Sequence, residues 1–333
     1  MINPTYTPAA NRYDNEMKYR RCGKSGILLP EISLGFWHNF GDINPFSNSL
    51  AMAHYAFDHG ITHFDLANNY GPSYGSAEET FGLIIKKSFR PYRDELFIST
   101  KAGYDMWPGP YGNWGSRKYL TASLDQSLKR MNLDYVDIFY SHRFDPNTPL
   151  EETLQTLVDI VRKGKALYVG ISNYPQNAAE FAYRYLKEHD VHCLLYQGRY
   201  NIFDRTPEKD GILKQAKEHD TGFICFSPLA EGLLTNRYLN GIPADSRIAH
   251  GGHLKKESLT PNKLQQIKAL NDIAAQRNQT LAEMALAWLL KDETVTSIII
   301  GASSIGQLAD NLKAVNNTTF TSEELKKIDA TAI

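Results

Sequence analysis

The sequence is poor in cysteine, in one-sided charge and in long apolar runs, and each shortage excludes a class of protein. Its 333 residues hold three cysteines, Cys22, Cys193 and Cys225, far apart and without a Cys-x-x-Cys pair. That spacing argues against a disulfide framework or a zinc ribbon and for a reducing, cytoplasmic setting. Lys and Arg number 36 against 37 Asp and Glu, a net charge of −1. This lacks the basic excess of a dedicated nucleic-acid binder. The longest apolar runs, such as Met284 to Leu290, fall far short of the ~20 residues that span a bilayer. Met1 to Asp14 is polar and rich in Pro and Asn, unlike the charged-then-apolar start of a signal peptide. The expectation is a cytoplasmic enzyme without a membrane or nucleic-acid partner.

What is present is alternation. Short β-branched or aromatic runs lie at Glu31–Leu34, Ile61–Asp65, Leu96–Thr100, Tyr135–Tyr140, Leu167–Ile171, Cys193–Gln197, Gly222–Phe226 and Thr296–Ile300. Most are apolar at successive positions, as parallel strands covered on both faces are. Amphipathic stretches separate them, among them Asn48–His59, Ser76–Lys87, Arg117–Met131 and Leu150–Arg162. Thr148-Pro149-Leu150-Glu151 carries a helix start: an N-cap hydroxyl, a proline at the first helical position and a capping-box carboxylate.

Eight strands alternating with helices predict an α/β fold, a (β/α)8 TIM barrel. The length alone would also fit two domains or a doubly wound sheet. The first strand, however, runs into Ser33-Leu34-Gly35-Phe36-Trp37, without the G-x-G-x-x-G of a dinucleotide-binding sheet. Tyr19–Pro30 reads as a hairpin around Gly23 and Gly26, ahead of the barrel. Two further helices follow the last strand, near Ile305–Val315 and Ser322–Ala330. The expected division is a polar leader over residues 1–16 and one barrel domain over 17–333. The long Gly- and His-containing stretch from Gly232 to Pro261 has the length of a functional connection.

In such a barrel the reactive groups stand at the C-terminal ends of the strands. The second strand ends in Asp65, and Tyr70 follows in its loop. The third runs into Lys101 and the fourth into His142. The set contains neither a carboxylate pair suited to glycoside cleavage nor a metal-ligand trio, so no metal is expected. A phenol is a poor acid near neutrality, and a nearby ammonium lowers its pKa. Asp65 would keep Lys101 charged, and His142 would hydrogen-bond a substrate oxygen. The assembly suits protonation of a carbonyl oxygen as hydride reaches its carbon.

Three competing readings of single features are weak. Gly23-Lys24-Ser25 resembles the end of a P-loop, but Lys18 stands where that pattern needs a glycine. His54, His59 and His63 are spaced across a helix and a strand rather than as a ligand set, and His250 and His253 merely flank two glycines. A Schiff-base role for Lys101 is disfavoured by the carboxylate beside it.

Phe64-Asp65-Leu66-Ala67-Asn68-Asn69-Tyr70-Gly71, Ser99-Thr100-Lys101, Tyr140-Ser141-His142-Arg143, Gly170-Ile171-Ser172-Asn173-Tyr174, Phe226 through Leu234 and Ile300 through Leu308 resemble, in order, the motifs of the aldo-keto reductases. The resemblance runs from about Tyr19 to Ala330. Within that family, Leu34–Gly41 and Lys101–Gly112 are most similar to the branch of bacterial L-glyceraldehyde 3-phosphate reductases and potassium-channel β subunits. The channel subunits carry Asn at the position of His142, which favours a working reductase here over a regulatory, redox-sensing module.

The resemblance implies roles. Tyr70 would be the general acid, tuned by Lys101 and Asp65, with His142 orienting the carbonyl. NADPH would be the cofactor. Ser172, Asn173 and Gln197 would hold its carboxamide, with Asp65 and Trp37 close by, and Phe226 would stack on its ring. Ser227, Leu229 and Gly232 would follow its pyrophosphate. Arg237, Arg247, Gly301, Ser303, Gln307 and Asn311 would grip its adenosine end, the arginines suiting a 2′-phosphate. Trp37, Trp107 and Arg143, with Tyr70 and His142, would line the site of a small carbonyl substrate such as glyceraldehyde 3-phosphate or methylglyoxal. The short tail after Ala330 agrees with a small substrate. Relatives of this kind imply a homo-oligomer, a tetramer or octamer.

Overall fold

The computed structural model describes residues 6–239, 241–243, 254 and 256–332. Strands β1 (Tyr19–Arg21) and β2 (Leu28–Pro30) form the expected hairpin, with Tyr19 opposite Pro30. Eight parallel strands then close a barrel: β3 (Ile32–Gly35), β4 (His63–Asp65), β5 (Phe97–Ala102), β6 (Val136–Ser141), β7 (Ala166–Ser172), β8 (Cys193–Arg199), β9 (Gly222–Phe226) and β10 (Ser297–Ile300). Each pairs with its sequence neighbour, and β10 closes the ring between β9 and β3. All eight strand expectations fall on these strands, which run up to two residues further at some C-terminal ends.

The helices outside the barrel are α1 (Phe46–Asp58), α2 (Ser76–Ile84), α3 (Arg117–Met131), α4 (Leu150–Arg162), α5 (Gln176–Glu188), the short α6 (Thr206–Lys209), α7 (Ile212–Glu218), α8 (Pro261–Gln276), α9 (Leu281–Leu289), α10 (Ile305–Leu312) and α11 (Ser322–Ala332). Helix α3 shows why the spacing was readable. Leu120, Leu124, Leu128 and Met131 are buried at intervals of three and four, so one face meets the strands. The Ser116 hydroxyl caps its first turn by accepting from the Tyr119 N–H, and Asn132 ends it in the left-handed region at φ 55°.

Two local expectations give way. Helix α2 does not continue to Lys87. It opens into a π turn over Ile85–Phe89 and a 3₁₀ turn over Arg90–Glu95. Pro91 accounts for this, because its ring cannot continue a regular helix. At α4 the cap is Pro149, not Thr148. The Thr148 hydroxyl instead donates to Asp145 Oδ2 at 2.6 Å. Asp145 also accepts the N–H groups of Gly115 and Asn147, so this carboxylate organises the turn. A true capping box lies at α9, where Thr280 and Glu283 exchange hydrogen bonds.

The core has two parts. A large shell lies between strands and helices, with Phe36, Phe64, Phe81, Leu124, Leu157 and Leu286 fully buried in it. A smaller cluster fills the lower barrel, where Cys22 and Leu29 of the hairpin meet Phe97, Ile138, Leu195, Ile224 and Ile299. The hairpin thus closes the N-terminal end of the barrel. Its turn is held by Gly23 at φ +53°, where a Cβ would lie 1.7 Å from the Asp220 carbonyl. Residues 6–16 lie against the same shell: the Tyr6 hydroxyl donates to Asp58, and Arg12 pairs with Glu95 at 2.6 Å. With the bottom plugged, the C-terminal mouth is the end where a barrel of this kind holds its site. No helix among the described residues is long and apolar enough to cross a membrane.

Candidate active site

The mouth is assembled from strand ends. Side chains two apart on a strand share a face, so Asp65 and Lys101 point into the barrel from the ends of β4 and β5. Lys101 is fully buried. Its Nζ donates to Asp65 Oδ2 at 2.6 Å and to the Leu66 carbonyl at 2.5 Å. Asp65 Oδ1 accepts from the Ser99 hydroxyl at 2.7 Å and from Gln197 Nε2 at 3.1 Å. The carboxylate is thereby held on both oxygens. Burial lowers the Lys101 pKa, and Asp65 opposes that shift by charge and hydrogen bond. A buried ion pair satisfied on both sides results.

Tyr70 lies above this pair in the β4–α2 loop. Its N–H donates to the Ala67 carbonyl, its own carbonyl accepts from Ala77, and the next N–H, of Gly71, donates to Trp37. A Cβ on Gly71, at φ +88°, would lie 2.3 Å from Ser76 Oγ, so this tight turn requires glycine. Lys101 Nζ sits 4.8 Å from the centre of the Tyr70 ring. His142 follows β6, its N–H donating to the Ala102 carbonyl at 3.0 Å. Its ring centre lies 5.9 Å from that of Tyr70, at 72°. Tyr70, Lys101, Asp65 and His142 therefore meet at one point, from three successive strands.

The net shift of Tyr70 runs opposite to the one expected from Lys101 alone. The ammonium lies 4.8 Å from the ring centre and spends two of its three donors on Asp65 and Leu66. Burial, followed by the charge of Asp65, pushes the phenol well above its ordinary value. His142 moves the other way: burial, then the charges of Lys101 and Arg143, hold it well below 6.5. At neutral pH the site thus presents a phenol and a neutral imidazole. His142 Nδ1 is buried without a hydrogen-bond partner.

The candidate cofactor residues continue around the mouth. Ser172 ends β7, and Asn173 follows at φ 55°. Asn173 spends its amide donors on the His142 carbonyl and on Ser172 Oγ, at 3.2 and 3.1 Å, and Gln197 reaches Asp65 as given above. Phe226 ends β9, half-buried. Beyond it, Ser227, Ala230, Glu231 and Gly232 all have positive φ, and the Ala230 N–H donates to the Ser227 carbonyl. Leu229 packs against the core. Arg237 is half-buried in a 3₁₀ turn after Thr235. Arg247 lies outside the described residues, as do His250 and His253.

After β10, Gly301 faces open space and Ser303 is exposed. Ser303 donates through its N–H and hydroxyl to Gln307 Oε1, both at 2.9 Å. Asn311 is buried on α10.

Of the candidate substrate residues, Trp37 stands at the rim, 38% exposed and 6.3 Å ring-to-ring from Tyr70. Arg143 is fixed beside His142. Its Nε donates to the Gly103 carbonyl and its Nη2 to Asn113 Oδ1, and its guanidinium lies 3.6 Å over Trp114 and 4.3 Å over Tyr104. Trp107 is half-buried and packs 5.1 Å from Tyr119 of α3. Tyr104, which sequence reasoning passed over, contacts the His142 ring edge-on at 4.7 Å. Ser99 was passed over too, and His63 was weighed only as a metal ligand, although each lies two residues before a site residue on the same strand face. Among the described residues, no three His, Cys, Asp or Glu side chains are grouped to hold a metal ion.

A closed parallel barrel with a buried Lys–Asp pair, a tyrosine and a neutral histidine at its C-terminal mouth defines a (β/α)8 enzyme. Comparison with known proteins narrows that class. The model of the aldo/keto reductase family matches residues 31–333. The chain is 56% identical over 318 residues to L-glyceraldehyde 3-phosphate reductase of Escherichia coli K12, covering 94% of this chain and 92% of that one. It is 36% identical to a probable voltage-gated potassium channel subunit beta of Arabidopsis thaliana, over 90% of this chain and 92% of the other. The crystal structure of a thermostable aldo-keto reductase in complex with the inhibitor epalrestat superposes with a TM-score of 0.74 at 30% identity, covering 95% of this chain and all of that one. The chain belongs to the aldo/keto reductase family and is an oxidoreductase of that family.

Proposed function

We propose that the protein reduces small aldehydes and ketones to alcohols with NADPH, and that Tyr70 is the general acid. The observation that carries this reading is the convergence of a protonated Tyr70 with neutral His142 above the Lys101–Asp65 pair. The similarity to L-glyceraldehyde 3-phosphate reductase supports short, polar aldehydes as substrates. The similarity to that enzyme and the three widely separated cysteines support a cytoplasmic setting.

The residues at the mouth fit a nicotinamide dinucleotide. Ser227 to Gly232 holds four residues at positive φ, the backbone habit of anion-binding nests. The N-terminus of α10, capped by Ser304 beside Ser303 and Gln307, offers N–H groups to phosphate. Ser172, Asn173 and Gln197 would hold the carboxamide, and Phe226 the ring face. Arg237 and Arg247 would favour the 2′-phosphate of NADPH. When bound, this group supplies the hydride.

The protein's own residues handle the oxygen and the proton. The neutral imidazole of His142 retains one N–H donor and orients the carbonyl through it. Tyr70 gives its proton to the carbonyl oxygen as negative charge develops there. Its high pKa keeps the proton in place until then, because the nascent alkoxide is a stronger base than a phenolate. Lys101, under the ring, balances the charge left on Tyr70, and Asp65 fixes Lys101. Arg143, next to His142 in sequence, would receive an anionic substituent of the substrate.

Turnover is measured as NADPH oxidation with methylglyoxal and with glyceraldehyde 3-phosphate. Tyr70→Phe should cut reduction by about 10²–10⁴-fold and leave NADPH affinity nearly unchanged. Retained turnover in that variant would refute Tyr70 as the acid. The similarity to channel β subunits supports a second reading, a regulatory subunit that binds NADPH. Tight NADPH binding without turnover of any short aldehyde would favour it.

A further inference from the structure

Beneath the site, a chain of hydrogen bonds runs through the barrel interior. His63 of β4 is fully buried. Its Nδ1 lies 2.8 Å from Ser33 Oγ of β3, and its Nε2 lies 3.1 Å from Ser99 Oγ of β5. Ser33 Oγ is in turn 2.6 Å from Ser297 Oγ of β10. Ser99 is the residue that donates to Asp65 Oδ1 at 2.7 Å, with the Phe64 carbonyl as its alternative acceptor at 3.3 Å. The charged groups facing His63 are Asp65 and Lys101, and the Phe97 ring stands edge-on 5.5 Å away.

Proton counting gives the chain one direction. An ionised carboxylate only accepts, so Ser99 must spend its single proton on Asp65. Ser99 then accepts from His63, which places the ring proton on Nε2. Burial, aided by Lys101 and opposed by Asp65, holds His63 down to about 4. The ring is therefore neutral at pH 7, and its Nδ1 accepts from Ser33. The opposite tautomer would draw the Ser99 proton onto Nε2 and away from Asp65.

We propose that His63 is a positioning residue of the same site, fixed as the Nε2–H tautomer so that it turns the Ser99 hydroxyl onto Asp65 and steadies the carboxylate that holds Lys101. The inference rests on the reading of Lys101 and Asp65 as support for Tyr70. It goes further by making one element of that support a histidine on the strand face two residues below.

Two measurements test it. In the 15N-histidine-labelled full-length protein without ligand, the His63 resonances, identified by their loss in His63→Gln, should report a neutral ring protonated at Nε2 at pH 7. Protonation at Nδ1 overturns the proposal. In the reductase assay, His63→Phe should lower kcat about tenfold, less than removal of the acid itself. It should also move the acid limb of the kcat profile to higher pH, because a carboxylate that loses a donor to its ionised form is protonated more easily. His63→Gln, which keeps a donor near the Nε2 position, should restore both. Ser99→Ala should reproduce the limb shift, and the double variant should add nothing to it. A His63→Phe profile that superimposes on the wild type, or a lower kcat with both limbs unmoved, overturns the proposal. If the wild type reduces no carbonyl with NADPH, the functional reading fails, and the tautomer in the unliganded protein still decides the present one.

Discussion

On the β4 to β6 side of the mouth, Asp65 and Lys101 stand at strand ends, fastened by buried partners, with Tyr70 in the loop above them; on the β9 and β10 side, Ser227 to Gly232 form a loop, and Ser303 and Gln307 are exposed. Asp65 and Lys101 are buried and hydrogen-bonded to one another, to Ser99 and to Gln197. Ser303 and Gln307 are exposed and bonded mainly to each other. Backbone strain is distributed oppositely. The loop after β9 carries positive φ at the non-glycine residues Ser227, Ala230 and Glu231, whereas the β4–α2 loop around Tyr70 carries it only at glycines, Gly71 and Gly75. The difference matches the tasks proposed for the two sides. Proton transfer tolerates little error in distance, so its groups belong on rigid elements. A dinucleotide many bonds long is gripped at several separate points, for which shaped loops suffice.

Removing the ammonium attacks the strand side directly. Lys101→Met is nearly isosteric but leaves Asp65 buried without its counter-charge, a change that costs about 3–5 kcal/mol. Turnover should fall by more than about 10²-fold, while NADPH binding changes far less. Urea unfolding and NADPH titration of the same variant give both numbers. The substitution also removes a positive neighbour that lowers His142, so His142 should titrate closer to its ordinary range. Unchanged stability in Lys101→Met would mean that Asp65 and Lys101 are not the rigid half of the comparison.

A weaker effect separates the sides by pH. His63 is held down to about 4, against about 6.5 in the unfolded chain. Between these values the unfolded state binds the extra proton, so stability rises with pH through that window and is lost as pH falls. The His63 share of that loss between pH 7 and pH 4 is about 3 kcal/mol. His63→Phe should therefore flatten the stability-against-pH curve by about this amount relative to the wild type. Urea midpoints at a series of pH values measure it. Equal slopes in the two proteins would show that the fold does not lower the His63 pKa.

What could be read from the sequence divides along the same line. The barrel was legible because parallel strands covered on both faces write continuous apolar runs, and because α3 and α4 carry clean helical spacing. Tyr70, Lys101, Asp65 and His142 were legible because strand ends are where such a barrel keeps its chemistry. The support beneath them was not, since His63 and Ser99 look like ordinary strand residues until closure of the ring brings β3, β4, β5 and β10 together. Their position two residues before Asp65 and Lys101 was the one available signal. The sign of the Tyr70 shift was missed for a related reason: sequence gives the nearness of an ammonium but not the burial that outweighs it. The packing of Trp107 against Tyr119 of α3 was not legible either, because a loop aromatic gives no local sign of the side chain it meets. The loop after β9 was recognised by its motif alone. Positive φ at Ser227, Ala230 and Glu231 is written by no glycine, only Gly232 showing it openly.

That loop allows the finest test of the comparison. Ala230 is buried and holds φ at 48°, a region that costs an L-residue roughly 1–2 kcal/mol. Glycine relieves that strain but adds freedom to the unfolded chain, a loss of about 0.5–1 kcal/mol. The two nearly cancel, so Ala230→Gly should alter stability by less than about 1 kcal/mol. Its effect on the proposed cofactor grip is separate. A loop with a glycine at its bend is less pre-organised, and ordering it on binding weakens NADPH affinity by about two- to threefold, with kcat for reduction untouched. Isothermal titration and steady-state rates distinguish the outcomes. A loss in kcat that exceeds the loss in affinity would mean that the loop after β9 positions the chemistry as tightly as the strand ends do, and the contrast between the two sides would fall.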